Sequence, residues 1–218
     1  LDDGRGTYDF SETFRVVEDG DLHSIERMKV RDSGMPDQDF WESLFDVDAI
    51  LDALGIDSRI NDAVEVGCGY GTFTMPVAQR IRGTLHSFDI DSSMVACARE
   101  RLSHAGIHNV NLHEKDVMEG GFSLPAQSVD AVLLFNILHA ENPVGLLRAS
   151  AALLRPNGRV LVVHWRSDIA TPRGPDLSIR PRPEQIIEWA RCTGTFSMDS
   201  AHRILPPWHF GLILQRTG

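Results

Sequence analysis

The chain has little that would mark a secreted, metal-holding or nucleic-acid-binding protein. Its three cysteines (Cys68, Cys97 and Cys192) are odd in number and far apart, so neither a disulfide framework nor a zinc-ligand spacing is present. They indicate a reduced, cytoplasmic setting and no bound metal. No apolar run approaches the roughly 20 residues needed to cross a bilayer, and residues 1–35 carry no basic-then-apolar targeting pattern. A basic excess is also missing, with 21 Lys and Arg against 31 Asp and Glu. Residues 1–60 hold 16 acids and 6 bases, so the formal charge of −10 resides there and the remainder is balanced. Without a basic face, nucleic acid is disfavoured as a partner. Repeats and low-complexity tracts are absent.

The 218 residues suffice for one domain with a full core. Residues 1–38 read as an acidic extension, partly mobile or capping, and 39–218 as the folded domain. Phe40, Leu44, Val47, Leu51 and Leu54 recur at helical intervals, predicting one helical region over 39–55 that stops at Gly55. Helices are then predicted near 72–82, 93–105, 142–155 and 183–193, between strands near 63, 85, 110, 130 and 160. That alternation demands a mostly parallel sheet covered on both faces. Pro206-Pro207 separates two extended stretches that read as a C-terminal hairpin.

The most informative segment is Ala63-Val64-Glu65-Val66-Gly67-Cys68-Gly69-Tyr70-Gly71-Thr72. A buried strand runs into a turn with glycine at every second position, where a ligand can press against bare backbone. A second strand, Leu85 to Asp89, ends in an acid placed to take the hydroxyls of a ribose. Dinucleotide binders use G-x-G-x-x-G with a helix N-terminus facing a pyrophosphate. Here the spacing is G-x-G-x-G, and Glu65 inside the strand would repel a pyrophosphate but favour an ammonium or sulfonium.

These residues resemble the first motif of the class I S-adenosylmethionine-dependent methyltransferases, (D/E)-x-G-x-G-x-G. Phe88-Asp89-Ile90-Asp91-Ser92-Ser93-Met94 is similar to the second motif and Lys115-Asp116-Val117 to the third. Val129 to His139 resembles the fourth strand and the edge of the active site. Leu154-Arg155-Pro156-Asn157-Gly158-Arg159 resembles the turn before the fifth strand, with Asn157 where the family has a second glycine. The closing Leu205-Pro206-Pro207-Trp208-His209-Phe210-Gly211-Leu212 is similar to small-molecule methyltransferases of the ubiquinone and menaquinone type. The resemblance implies an α/β Rossmann-like fold: a mostly parallel seven-stranded sheet with helices on both faces and a C-terminal antiparallel hairpin. It also implies S-adenosyl-L-methionine as cofactor, with S-adenosyl-L-homocysteine as product. Gly67, Cys68, Gly69 and Gly71 would form the methionine cradle, Glu65 would hold the amino group and Asp89 the ribose. Ile90 and Met94 would sandwich adenine, Asp116 and Val117 would meet its edge, and Phe135 and Asn136 would complete the site.

The implied reaction is methyl transfer to a small-molecule acceptor. His164 and His139, after the fifth and fourth strands, are the candidate general bases. His209, Trp165, Arg166 and Trp208 are further acceptor-end candidates, and Phe40, Trp41 and Phe45 a candidate lid. Residues 166–183 are rich in arginine, proline and glycine and read as a gate. Either its arginines neutralise an anionic acceptor or they fasten the acidic N-terminal segment across the pocket mouth. Phe135-Asn136-Ile137-Leu138 lacks the prolines and stacking aromatic of nucleic-acid amino methyltransferases. Two alternatives stay open: a catalytically inactive S-adenosylmethionine-binding module, and a nicotinamide oxidoreductase, which Glu65 and the glycine spacing disfavour. Oligomeric state is not legible.

Overall fold

The computed structural model describes residues 35–198 and 202–217. Residues 1–34, which make up nearly all of the expected acidic extension, lie outside the described residues. The described chain opens with two short helices, α1 (Gln38–Glu42) and α2 (Val47–Ala53), where one helical region was expected. The interruption has a local cause. The Asp46 carboxylate accepts from the Ala49 amide at 3.1 Å and so caps a new helix instead of continuing the old one. Leu44, Leu51 and Leu54 are buried as expected, but Phe40 is 43% exposed.

Strands and helices then alternate. The strands are β1 (Ala63–Val66), β2 (Leu85–Asp89), β3 (Val110–Glu114), β4 (Val129–Phe135) and β5 (Leu154–Trp165). Between them run α3 (Thr74–Arg80), α4 (Ser92–His104), the short α5 (Val117–Gly120) and α6 (Pro143–Leu153). After α7 (Pro183–Thr193) come β6 (Phe196–Met198), β7 (Arg203–Leu205) and β8 (His209–Arg216). The order across the sheet is β3-β2-β1-β4-β5-β8-β6; the first five strands are parallel and β8 is antiparallel to β5. The expected seven positions are present. An eighth strand, β7, pairs with the first residues of β8, while β6 pairs with its last. The β7–β8 hairpin turns at Pro206-Pro207, as expected.

The core lies in two layers, one on each sheet face. Leu51, Leu54, Val77 and Ala78 of α2 and α3 pack on Leu133, Leu161 and Val163. On the other face, Leu146, Leu147, Ile186 and Ala190 of α6 and α7 pack on Val132, Val160 and Val162. At the N-terminal ends of β1 and β4, Arg155 bridges Asp62 at 3.0 Å and Asp130 at 2.8 Å. Asp130 also accepts from the Asn61 and Asp62 amides. The expected turn falls inside β5 as an irregularity, where the pairing with β4 shifts register between Leu154 and Arg159 and Asn157 takes φ 64, the left-handed conformation for which asparagine is the best non-glycine choice.

Candidate active site

Strand order reverses between β1 and β4, and in an open α/β sheet the ligand crevice lies beyond the carboxyl ends of the strands at that reversal. A cavity of about 640 Å³ sits there. Its floor is the glycine turn, where Gly67, Gly69 and Gly71 have φ of 85°, 49° and 81°. A side chain at Gly67 would meet nothing within 4 Å, so bare backbone faces open space. The Gly67 and Cys68 amides donate to the Phe88 carbonyl, and the Gly71 amide to that of Cys68.

The carboxylates along the rim are held by backbone donors. Asp89, ending β2, accepts from the Gly69 amide at 2.9 Å and the Asp91 amide at 3.0 Å. Asp91 caps α4 by accepting from the Ser93 amide at 2.8 Å, and Asp116 caps α5 by accepting from Met118 at 2.8 Å. The bonds from Asp91, Ser93 and Met118 are Asx-type, which a strand-end aspartate makes readily with the amide two residues on; the bond from Gly69 ties Asp89 to the glycine turn. They fix each carboxylate before any ligand arrives.

Ten of the fourteen expected residues line the cavity: Gly67, Gly69, Asp89, Ile90, Met94, Asp116, Val117, Phe135, Asn136 and His139. Asn136 adopts φ 56°, and its Oδ1 is buried with no hydrogen-bond partner among the described residues. Glu65, Cys68, Gly71 and His164 do not line it. Glu65 is buried beneath the turn, where Thr74 and Ser87 hydroxyls donate to its Oε2 at 2.7 and 2.5 Å. Burial pushes its pKa up to about 7, against the effect of those hydroxyls. Cys68 packs against Val95 and Ala98, and burial raises its thiol, as befits a space-filler and not a nucleophile. Gly71 faces Ala98 of α4 instead, where a Cβ would make ordinary contact at 3.6 Å, so its φ of 81° rather than space calls for glycine.

His164 is fully buried, with burial lowering its pKa to about 3. Its ring lies edge-on to that of His139, centroids 5.6 Å apart. On the other sheet face His209, also fully buried, stacks on Phe45 at 4.7 Å and tilts against Trp165 at 4.2 Å.

The segment before α2 covers the cavity. Met35 and Trp41 line it, the Tyr70 hydroxyl donates to the Pro36 carbonyl at 2.8 Å, and Arg101 of α4 pairs with Glu42 at 2.7 Å. Trp41 and Phe45 therefore serve as cover and core respectively, and Phe40 points to solvent. Met35 was not legible, because nothing in residues 1–35 distinguishes it from the acidic run around it.

The arginine loop differs from both expectations at Arg180. That side chain is 8% exposed and donates to the carbonyls of Pro175, Arg166 and Arg173 and to the Thr171 hydroxyl, 5.9 Å from the Trp165 ring centre. It is the internal tie of the loop. Gly174, at φ 118°, lies against Trp165 where a Cβ would come within 2.9 Å of the ring, so only glycine fits there. Arg166 pairs locally with Asp168 at 2.7 Å.

This geometry defines a class I methyltransferase fold. Residues 63–158 match the family model described as a methyltransferase domain. The chain is 31% identical over 100 residues to aklanonic acid methyltransferase DauC of Streptomyces sp. (strain C5), covering 44% of each. It is 27% identical over 105 residues to demethylmenaquinone methyltransferase of Listeria monocytogenes serotype 4a (strain HCC23), covering 47% of this chain and 44% of that one. The chain thus spans less than half the length of these curated relatives. Among solved structures, a SAM-dependent methyltransferase from Aquifex aeolicus superposes with a TM-score of 0.72 at 18% identity, over 88% of this chain and 98% of that one. Among the described residues no helix is long and apolar enough to cross a membrane, and no group of three or more ligating side chains could hold a metal.

Proposed function

We propose that the chain transfers a methyl group from S-adenosylmethionine to an oxygen of a small-molecule acceptor. The observation that carries this reading is the cavity at the strand-order reversal, which joins bare glycine backbone, the fixed Asp89 carboxylate and the unpartnered Asn136 Oδ1. These groups fit the cofactor's chemistry: a carboxylate for a ribose diol, apolar Ile90, Met94 and Val117 for a purine, and an acceptor oxygen for an ammonium. Glu65, buried beneath the turn with its carboxyl raised to about 7, supports the turn through Thr74 and Ser87 without direct contact to the cavity. When bound, the cofactor supplies a methyl group already activated on a sulfonium.

The chain's own work is alignment and proton removal. Trp41 and Met35 exclude water, and holding two reactants in line lowers a barrier by roughly 7–11 kcal/mol. His139, the histidine that lines the cavity, is the residue placed to take a hydroxyl proton. His164 stands behind it, and its burial holds that ring neutral. The expected anionic acceptor rests on the arginine loop, whose most buried arginine is engaged internally; the aromatic walls describe the acceptor better.

The test is transfer of radiolabelled methyl from S-adenosylmethionine to a panel of hydroxylated small molecules. Turnover inhibited by S-adenosylhomocysteine supports the proposal. Cofactor binding without turnover on any acceptor would favour the inactive binding module.

A further inference from the structure

Buried polar atoms in folded proteins nearly always have partners, and each exception calls for an explanation. His164, at the end of β5, carries such an exception beside the cavity. Its side chain is fully buried, and Nδ1 lies 3.3 Å from the Trp165 carbonyl oxygen. A carbonyl only accepts, so that contact places the proton on Nδ1 and leaves Nε2 with a lone pair. Nε2 has no partner among the described residues. The ring stays neutral rather than taking a second proton. Burial lowers its pKa to about 3, and His139 after β4, His209 on β8 and Arg180 of the arginine loop each oppose a charge on it.

The polar ring beside that lone pair is His139. The two rings stand edge-on with centroids 5.6 Å apart, while the Phe210 ring, 6.2 Å from His164, offers no donor. His139 lines the cavity and its Nδ1 is buried, which leaves Nε2 as the nitrogen able to meet a ligand there. The χ2 torsion of a histidine is soft, so a turn of the ring aims the His139 Nδ1–H at His164 Nε2 within the existing spacing. An apolar residue at position 164 would fill the same space without an orphaned acceptor.

We infer that His164 is a positioning residue: it holds His139 in the Nδ1–H tautomer, so that the lone pair of His139 Nε2 faces the acceptor hydroxyl. This rests on the methyl-transfer reading, in which His139 takes that proton. A histidine without a directing partner favours the other tautomer, with its proton on Nε2. That form would turn a donor, not a base, toward the hydroxyl. With His164 in place the hydrogen bonds run one way, from His139 Nδ1–H to His164 Nε2 and from His164 Nδ1–H to the Trp165 carbonyl. The hydroxyl proton passes to His139 Nε2, and His164 holds the second N–H of the imidazolium until that proton leaves to water. His164 itself touches no substrate and does not change its protonation.

The test reads ring nitrogens by NMR in the full chain, isotope-labelled at histidine and saturated with S-adenosylhomocysteine, at about pH 8, where an imidazole is neutral. The His139 signals are assigned by their loss in His139→Ala. In wild type both His139 and His164 are expected as Nδ1–H tautomers. In His164→Phe, His139 should revert to Nε2–H. In His164→Gln, whose amide oxygen restores an acceptor at the same reach, it should stay Nδ1–H. Proton affinity of His139 should fall roughly 10-fold in His164→Phe, as expected for losing a hydrogen bond to a charged group, and recover in His164→Gln. Affinity for S-adenosylhomocysteine should be unchanged in both. The wild-type spectrum is decisive even where a variant does not fold: an Nε2–H tautomer at His139 or at His164 overturns the inference alone. So does an Nδ1–H tautomer at His139 that survives His164→Phe. Failure to bind S-adenosylhomocysteine overturns the methyl-transfer reading and this inference with it.

Discussion

The two ends of the cavity are built differently. At the β1–β3 end, carboxylates are held by backbone amides: Asp89 by Asp91 two residues on and by Gly69 of the glycine turn, Asp116 by Met118. Toward β4, β5 and β8, the lining Asn136 Oδ1 and, buried behind the cavity wall, His164 Nε2 and both nitrogens of His209 have no partner among the described residues. The first end is complete as it stands and presents a fixed surface. The second keeps neutral imidazoles buried among aromatic rings. In the methyl-transfer reading proposed above, the first end is the cofactor's and the second the acceptor's.

Substitutions can break this contrast, the largest effect falling on chemistry at the acceptor end. His139→Ala should lower kcat by about 10²–10⁴-fold with cofactor affinity kept, checked by methyl transfer across pH. The arginine loop comes next. Arg180→Met leaves three carbonyls and a hydroxyl without their donor and should destabilise the fold by about 2–3 kcal/mol, read from urea unfolding. If the loop bears on acceptor binding, acceptor KM rises while cofactor binding holds.

A smaller effect is the pH dependence of stability, which also separates the two ends. Glu65 at about 7 is raised above its ordinary 4.5, so its contribution is full below 4.5 and is lost as pH rises toward 7. His164 and His209 at about 3 lie below 6.5, so theirs is full above 6.5 and is lost as pH falls toward 3. Glu65→Gln should therefore flatten the decline between pH 4.5 and 7 and steepen the net acid loss, measured by urea unfolding from pH 4 to 8. The smallest effect belongs to Arg155→Ala, about 1 kcal/mol, because its side chain is 37% exposed and solvent screens both bridges. It should leave ligand binding at both ends intact.

The same contrast governs what could be read from the chain. Features set by neighbours in sequence were legible: the glycine turn, Asp89 closing β2, and Asn157 in its left-handed conformation, whereas the short α5 after Asp116 was not expected. The hairpin at Pro206-Pro207 was legible for the same reason. What sheet order brings together was less so. Asp46 as a helix cap split a periodic apolar pattern that by itself read as one helix. Arg180 looked like an anion fork because its charge is visible in sequence, while the carbonyls that surround it are not. His209 and Trp165 are 44 positions apart and meet only through the antiparallel pairing of β5 with β8. His164 and His139, similar as candidates, separate once the cavity shows which of them it includes.

The measurement that bears most directly on the account is calorimetric titration with S-adenosylmethionine, S-adenosylhomocysteine and NADH, on wild type and Asp89→Ala. The account predicts binding of both sulfur nucleosides and not of NADH, weakened roughly 10- to 100-fold when the carboxylate is removed. Binding of NADH in place of the sulfur nucleosides, or affinity for them unchanged in Asp89→Ala, would contradict it.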